Sequence, residues 1–255
     1  MASSTLITDY MQYGTLASRP VTPNTPTNCS PLYYATDTSS LYIWDGAWVQ
    51  VTGAGAGGGL YAPVLSAVPT SANTGLTSWV NQGSASVTDT TTGVLLAATT
   101  NGSAQSIHVR SKASSGAHTY TALIAFNYNW TNVDVYGGIS WSDGTKFQAF
   151  SIAANSSGQT TLYVINMANS TTQTAVPFSS GSHQNVPTLL WLQTQVDSTK
   201  VYYRVSLDGI NFTEVYSVVF ASSYLGVQGN YTNIGIQINP YDSNGTVTLM
   251  SWAQV

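Results

Sequence analysis

Lys200-Val-Tyr-Tyr-Arg-Val-Ser-Leu-Asp-Gly-Ile-Asn-Phe-Thr-Glu-Val-Tyr216 is the stretch on which the fold turns. Val201, Tyr203, Val205 and Leu207 alternate with Tyr202, Arg204 and Ser206, a period of two that sends successive side chains to opposite faces of a strand. Asp208-Gly209 supplies the positive φ angles of a tight hairpin, and Thr213–Val219 resumes as the returning strand. Outward from this hairpin the same grammar repeats. Ile234, Ile236 and Ile238 alternate, and further strands are predicted at Gly93–Ala98, Ser106–Ser111, Thr119–Tyr128, Asp134–Trp141, Lys146–Ala153, Thr160–Ala168, Leu189–Val196, Asn233–Asn239 and Thr246–Val255. Asn101-Gly102, Asp143-Gly144 and Asn244-Gly245 mark turns between them. One face of each strand is apolar and the other polar, so two antiparallel sheets stacked face to face bury the first and solvate the second. The expected fold is all-β, with very little helix.

Composition narrows the partners. Only 6% of the 255 residues are charged, 43% are hydrophobic and the formal net charge is -4, so packed structure is expected under a neutral, hydrogen-bonding surface. Six basic residues are scattered along the chain, leaving no cluster to neutralise several phosphates, so nucleic acid is not an expected partner. No apolar run approaches the ~20 residues that span a bilayer, so no membrane partner is expected. Met1–Thr15 lacks a basic segment followed by an apolar core and does not read as a signal peptide. Cys29 is the single cysteine, which fits synthesis in a reducing cytoplasm. The eight Asn-x-Ser/Thr sequons are what a chain this rich in Asn, Ser and Thr produces by chance.

The N-terminal part is organised differently. Leu6, Ile7, Tyr10 and Met11 recur at helical spacing between Ser3/Ser4 and Gly14, which predicts one or two opening helical turns. Arg19–Cys29 carries three prolines and reads as an extended arm. Pro31–Ala35, Ser40–Trp44 and Ala47–Val51 form a predicted three-strand meander closed by Asp45-Gly46. Gly53–Gly59, built of glycine and alanine, is a linker. The predicted division is residues 1–52 as arm and small β module, 53–75 as Gly/Ala/Pro-rich linker, and 76–255 as sandwich.

Two segments carry resemblances. Tyr13-Gly-Thr-Leu-Ala-Ser-Arg-Pro20, then Leu32-Tyr-Tyr-Ala-Thr-Asp-Thr38 and Leu41-Tyr-Ile-Trp-Asp-Gly-Ala-Trp48, resemble a short module near the ends of bacteriophage tail-fibre and head-fibre proteins. The resemblance covers about a fifth of the chain and implies attachment to phage capsid or tail proteins, usually as a homotrimer, with Tyr13, Arg19, Pro20, Tyr33, Tyr34, Tyr42, Trp44 and Trp48 as virion-anchoring residues. Lys200–Tyr216 followed by Asn233–Asn239 and the closing strand resembles the concanavalin A-like or laminin-G-like lectin sandwich, of jelly-roll type. That resemblance implies the fold and leaves function open between glycan binding, spacing and hydrolysis. Together they predict a virion surface protein, a head fibre or capsid decoration, with a tail fibre or a polysaccharide depolymerase as alternatives.

The chemistry points away from catalysis. A glycosidase needs two carboxylates about 5–10 Å apart. Asp45, Asp143 and Asp208 precede glycine in turns, Asp197 opens the hairpin Asp197-Ser-Thr-Lys200, Glu214 is the only glutamate, and Asp89, Asp134 and Asp242 have no acidic neighbour in sequence. His108, His118 and His183 lack metal-ligand spacing, no Gly-x-Ser-x-Gly elbow occurs, and Cys29 has no base nearby. A chain without enzymatic activity, metal or cofactor is therefore expected; calcium on backbone carbonyls and a loop aspartate such as Asp134 or Asp242 stays open. The positive expectation is adhesion to host-surface polysaccharide through Trp130, Asp134, Tyr136, Trp141 and Tyr241. Aromatic rings cover the C–H faces of sugars, and amides and carboxylates bond their hydroxyls. Tyr231 belongs to the same set, and for each aromatic a place in the core or at a subunit interface is the competing reading.

Overall fold

Alternation in the sequence is realised as strands along most of the chain, in a computed structural model that describes residues 11–18, 20, 32–35, 40–44, 48–50, 67–100, 102, 104–114, 117–128, 134–155, 157–181, 186–226 and 230–254. Two units result, Met1–Leu65 and Ser66–Val255.

In the first unit, β1 (Met11–Gly14), β2 (Leu32–Ala35), β3 (Ser40–Trp44) and β4 (Trp48–Gln50) form one sheet in that order. β2, β3 and β4 are the antiparallel meander read from the sequence. β1 adds to it in parallel, with Met11 opposite Leu32, which corrects the helical expectation at Met11–Gly14; Leu6, Ile7 and Tyr10 lie outside the described residues. A ladder on the open edge of β2 satisfies this backbone without the nucleation cost of an isolated short helix. Tyr33 and Tyr42 face each other across β2 and β3 and are buried with Ala35, and Trp48 packs edge-on against Tyr33 at 5.9 Å.

The second unit opens with a one-turn helix, α1 (Ser71–Thr74), inside the stretch assigned from its prolines to the linker. Thr70 and Asn73 cap it reciprocally, and Asp89 accepts hydrogen bonds from the Ser71 N–H and hydroxyl at 2.8 and 2.9 Å. The strands that follow are β5 (Ser78–Val80), β6 (Ser86–Thr90), β7 (Gly93–Ala98), β8 (His108–Ala113), β9 (His118–Tyr128), β10 (Asp134–Ser142), β11 (Phe147–Asn155), β12 (Thr160–Asn169), β13 (Thr172–Ser179), β14 (Leu189–Val196), β15 (Lys200–Ser206), β16 (Thr213–Val219), β17 (Asn233–Asn239) and β18 (Gly245–Gln254). Two seven-stranded antiparallel sheets hold them, in the orders β13-β12-β11-β10-β17-β8-β5 and β16-β15-β14-β9-β18-β7-β6. The chain is thus all-β, and its second unit is a two-sheet antiparallel sandwich. Sequence alternation missed three strands, β5, β6 and β13, and all three are sheet edges. β13 is exposed over most of its length and contains Pro177, which is tolerated where no partner strand needs the missing donor.

Burial between the sheets follows the alternation, with aromatic rings at its centre. Trp141 lies between Tyr120 and Tyr231, at 5.4 and 5.6 Å in edge-on geometry, and Phe150 meets Tyr203 at 5.4 Å. Two hydroxyls of this apolar layer converge on Gln148, whose Oε1 accepts from Tyr203 at 2.7 Å and Tyr231 at 3.1 Å while its Nε2 donates to Asn166 at 3.1 Å.

Two expectations of the alternation need correction. Leu207, read with Val201 and Tyr203 as core-facing, is 80% exposed: β15 ends at Ser206 and a register shift lies between Tyr203 and Arg204. The outer face of the first sheet is also not uniformly polar. Phe147 and Ala149, which alternate with core-facing Gln148 and Phe150, form a second buried cluster with Ile107, Val109, Ile165 and Met167. A long-range contact accompanies it: the Ile107 N–H donates to the Ser170 carbonyl at 2.8 Å, joining the start of β8 to the β12–β13 turn although three strands separate β8 from β12.

Replacing Gln148 with Leu strands the Tyr203 hydroxyl and the Asn166 amide inside the sandwich, and a loss of about 2–4 kcal/mol is expected. Urea unfolding measures it; a variant as stable as the parent would show that this hub does not hold the aromatic layer.

Candidate functional site

Of the N-terminal residues singled out in the sequence, Tyr33, Tyr42 and Trp48 build the core of the first unit. Tyr33 donates to the Thr15 carbonyl at 2.7 Å and lies 2.9 Å from the Ser18 hydroxyl, and the Trp48 indole donates to the Pro20 carbonyl at 2.6 Å. These contacts fold the Thr15–Pro20 arm onto the sheet. Tyr13, Tyr34 and Trp44 sit in β1, β2 and β3; their side chains and Arg19 lie outside the described residues.

Of the residues expected to meet a glycan, the structure brings three together. β10 and β17 pair with Tyr136 opposite Asn239, so the start of β10 arrives beside the turn that leads from β17 to β18. The Asp242 N–H donates to the Asp134 carbonyl at 3.1 Å. Tyr136 and Tyr163 meet edge-on at 6.1 Å. Burial, and next the nearby Asp242 carboxylate, raise the Asp134 carboxyl above its ordinary value of 3.8. The Tyr136 phenol is pushed far above its ordinary value by burial first and then by Asp134, Tyr163, Tyr241 and Asp242. Asp134, Tyr136, Tyr163, Tyr241 and Asp242 therefore share one electrostatic neighbourhood, and all five are half-buried.

The turn itself is clamped. Thr100 donates its N–H to Asn244 Oδ1 at 2.8 Å and its hydroxyl to the Tyr241 carbonyl at 3.3 Å. Asn239 accepts from the Ser106 N–H at 3.0 Å and donates to Gln105. Groups held this way lose little freedom when a ligand arrives, which favours binding.

Trp141 does not belong to the cluster. Its ring is 1% exposed and its N–H is used on Thr194 Oγ1 at 2.7 Å, so no sugar reaches it. Tyr231 is likewise in the core, and Trp130, with Asn129 and Asn132, lies outside the described residues. Tyr163 was missed because it sits in mid-strand, and the Asp134–Asp242 proximity because nothing local in sequence signals it. The only available clue was the pairing of two strands that are far apart in the chain.

The other acidic side chains described are mostly turn-formers, as their sequence context predicts. Asp143 accepts from the N–H groups of Thr145 and Lys146, Asp197 from those of Thr199 and Lys200, and Asp208 from those of Ile210 and Asn211. These hydrogen bonds hold the Asp197 and Asp208 carboxyls below their ordinary value. In the turn at Asp208, Gly209 adopts φ +74°, and a Cβ there would stand 2.6 Å from the Trp191 ring. Among the described residues no group of three or more His, Cys, Asp or Glu side chains is placed to hold a metal ion. Two clefts accompany these features: one of about 400 Å³ on the far flank of the clamped turn, and an apolar one of about 590 Å³ between Leu162, Leu190 and Val205.

Comparison with known proteins confines itself to the fold. No family model matches the chain, and no curated protein matches it. A functionally unknown protein from Saccharomyces cerevisiae superposes with TM-score 0.54 at 16% identity, over 71% of this chain and 96% of its own. A carbohydrate-binding module from Bacillus subtilis aligns at 12% identity and TM-score 0.42, over 69% of this chain and 95% of its own. An alginate lyase of polysaccharide lyase family 7 aligns at 13% identity and TM-score 0.44, over 66% and 82%.

The expectation of a chain without enzymatic activity is corrected here. Enzymes occur among the structures that align with it, and the structure removes the ground for the exclusion, since Asp134 does have an acidic neighbour in Asp242.

Replacing Asp242 with Asn removes the like charge beside Asp134, so the Asp134 carboxyl is expected to titrate at lower pH, partway back toward 3.8 because burial remains. Carbon-13 NMR titration of the side-chain carboxyls reads this. An unmoved Asp134 midpoint would show that the two carboxylates do not sense each other.

Proposed function

We propose that the sandwich engages glycan at the Asp134–Tyr136–Tyr163–Tyr241–Asp242 cluster, and that the chain carries this site on the surface of a bacteriophage particle. The observation that carries the proposal is the cluster itself: half-buried tyrosine rings beside two carboxylates on a turn clamped by Thr100. Rings of this kind cover sugar C–H surfaces, and carboxylates accept pairs of hydroxyl hydrogen bonds. The carbohydrate-binding module that aligns with the chain accords with this reading and adds no argument of its own. Attachment to capsid or tail proteins, as a homotrimeric head fibre or decoration, rests on the resemblance of Tyr13–Trp48 to fibre modules. Three weak sites on one particle add through effective concentration, which suits adhesion to a repetitive surface polysaccharide.

A second reading is a polysaccharide depolymerase. It is favoured by one observation, a carboxyl raised by burial and by a neighbouring carboxylate, the arrangement from which general acids are made.

The full-length protein is expected to bind host-surface polysaccharide in affinity electrophoresis, with Tyr241→Ala weakening retention about tenfold and Glu214→Gln, on a distant strand, leaving it intact. Equal retention of both variants would remove the cluster from the proposal. Release of new chain ends that stops in Asp134→Asn would establish cleavage; intact polysaccharide across several hosts would reject it. Light scattering at three times the 27.0 kDa chain mass is expected for the trimer, and a monomer would end that part of the proposal.

A further inference from the structure

The clamped turn has a second flank, and strand register builds something regular there. Asn127 on β9 stands opposite Thr246 on β18, Thr246 opposite Ala97 on β7, and Ala97 opposite Ser86 on β6. These four positions form a straight row across four neighbouring strands, about 14 Å long at the usual strand spacing. All four line the cleft of about 400 Å³, together with Tyr128 and with Asn244 from the turn itself. On β9, Asn127 alternates with core-facing Phe126, so the row lies on the outer face of the second sheet. Asn127 and Ser86 are exposed and Thr246 is half-buried, and among the described residues their side chains have no hydrogen-bond partner, so the row offers amide and hydroxyl groups to a ligand. Ala97 leaves a gap in mid-row, and no charged side chain among the described residues lines the cleft.

The row and the rings of Tyr136 and Tyr163 lie on the outer faces of opposite sheets, and the Tyr241–Asn244 turn joins the two faces at one end of the sandwich. Tyr241 and Asp242 belong to the cluster, Asn244 and Thr246 to the cleft, and Thr100 clamps the turn between them at both Tyr241 and Asn244. We infer that the ligand is an extended, uncharged glycan that passes from the tyrosine cluster over the turn and lies along the Asn127–Thr246–Ala97–Ser86 row. This rests on the proposed glycan site and adds to it the ligand's length and charge. Length follows from the second subsite, because a single sugar at the cluster does not reach the row. Neutrality follows from the side chains: an acidic sugar finds no cation in the cleft and meets two carboxylates, Asp134 and Asp242, on the other flank.

The test is a ladder of neutral oligosaccharides (manno-, malto- and cello-series, from single sugars to hexamers) beside alginate oligosaccharides, titrated calorimetrically into the full-length protein. Affinity is expected to rise at least about tenfold from monomer to hexamer in one neutral series and to be absent for alginate. Asn127→Ala, at an exposed position, and Ser86→Trp, which fills the cleft, are expected to erase that rise while leaving affinity for the shortest bound sugar unchanged. Tyr241→Ala weakens every length. Length-independent binding, a rise that survives both variants, or preference for alginate would overturn the inference while leaving glycan binding at the cluster standing. No binding to any member of either series, in a protein whose circular dichroism shows the folded sandwich, would overturn both.

Discussion

The pairing of β10 with β17 is the constraint on which the rest of the sandwich depends. Its register sets Ile139 opposite Ile236 and Trp141 opposite Ile234, which places both strands' apolar side chains between the sheets. A slip of one residue would turn that whole set outward, because side chains alternate with a period of two. The same register carries Asp134 to the turn beyond Asn239, where the Asp242 N–H meets its carbonyl. Core and candidate site are therefore fixed by a single ladder, and neither can be shifted without the other.

Polar side-chain atoms buried in this sandwich are mostly paired, with instructive exceptions. Gln148 gathers Tyr203, Tyr231 and Asn166, and Trp141 is answered by Thr194. Among the described residues, Arg110 Nε, Gln237 Oε1, Ser251 Oγ and Trp252 Nε1 are buried without a hydrogen-bond partner, each at a cost of the order of 1–3 kcal/mol. The aromatic contacts around Trp141 and Tyr203 offset such losses through buried area and edge-on ring geometry.

Much of the fold was legible in the sequence because a half-buried strand writes its burial into its own residues. Val201–Tyr203 and Ile234–Ile238 are the clearest cases, and the strand at Gly93–Ala98 was placed to the residue. Edges were not legible: β13 is exposed along most of its length, so no alternation marks it. Nor was the second cluster, where Phe147, Ile165 and Met167 pack with Ile107 and Val109 from a distant part of the chain, a long-range event with no local signature. The candidate site divides in the same way. Tyr136 and Tyr241 could be named from loop context, whereas Trp141, of the same residue class and in similar context, went to the core, because composition does not say which face a ring will take. The Asp134–Asp242 pair exists only through strand pairing, and missing it produced the mistaken exclusion of catalysis.

The central claim is that Asp134 and Asp242, joined by the β10–β17 ladder, act on one ligand. A double-mutant cycle measures this directly, with Asp134→Asn, Asp242→Asn and both together titrated against the best-bound glycan. The account predicts that the double substitution weakens binding no more than the stronger single one, a coupling of about 1 kcal/mol or more. Strictly additive losses, or none, would contradict it.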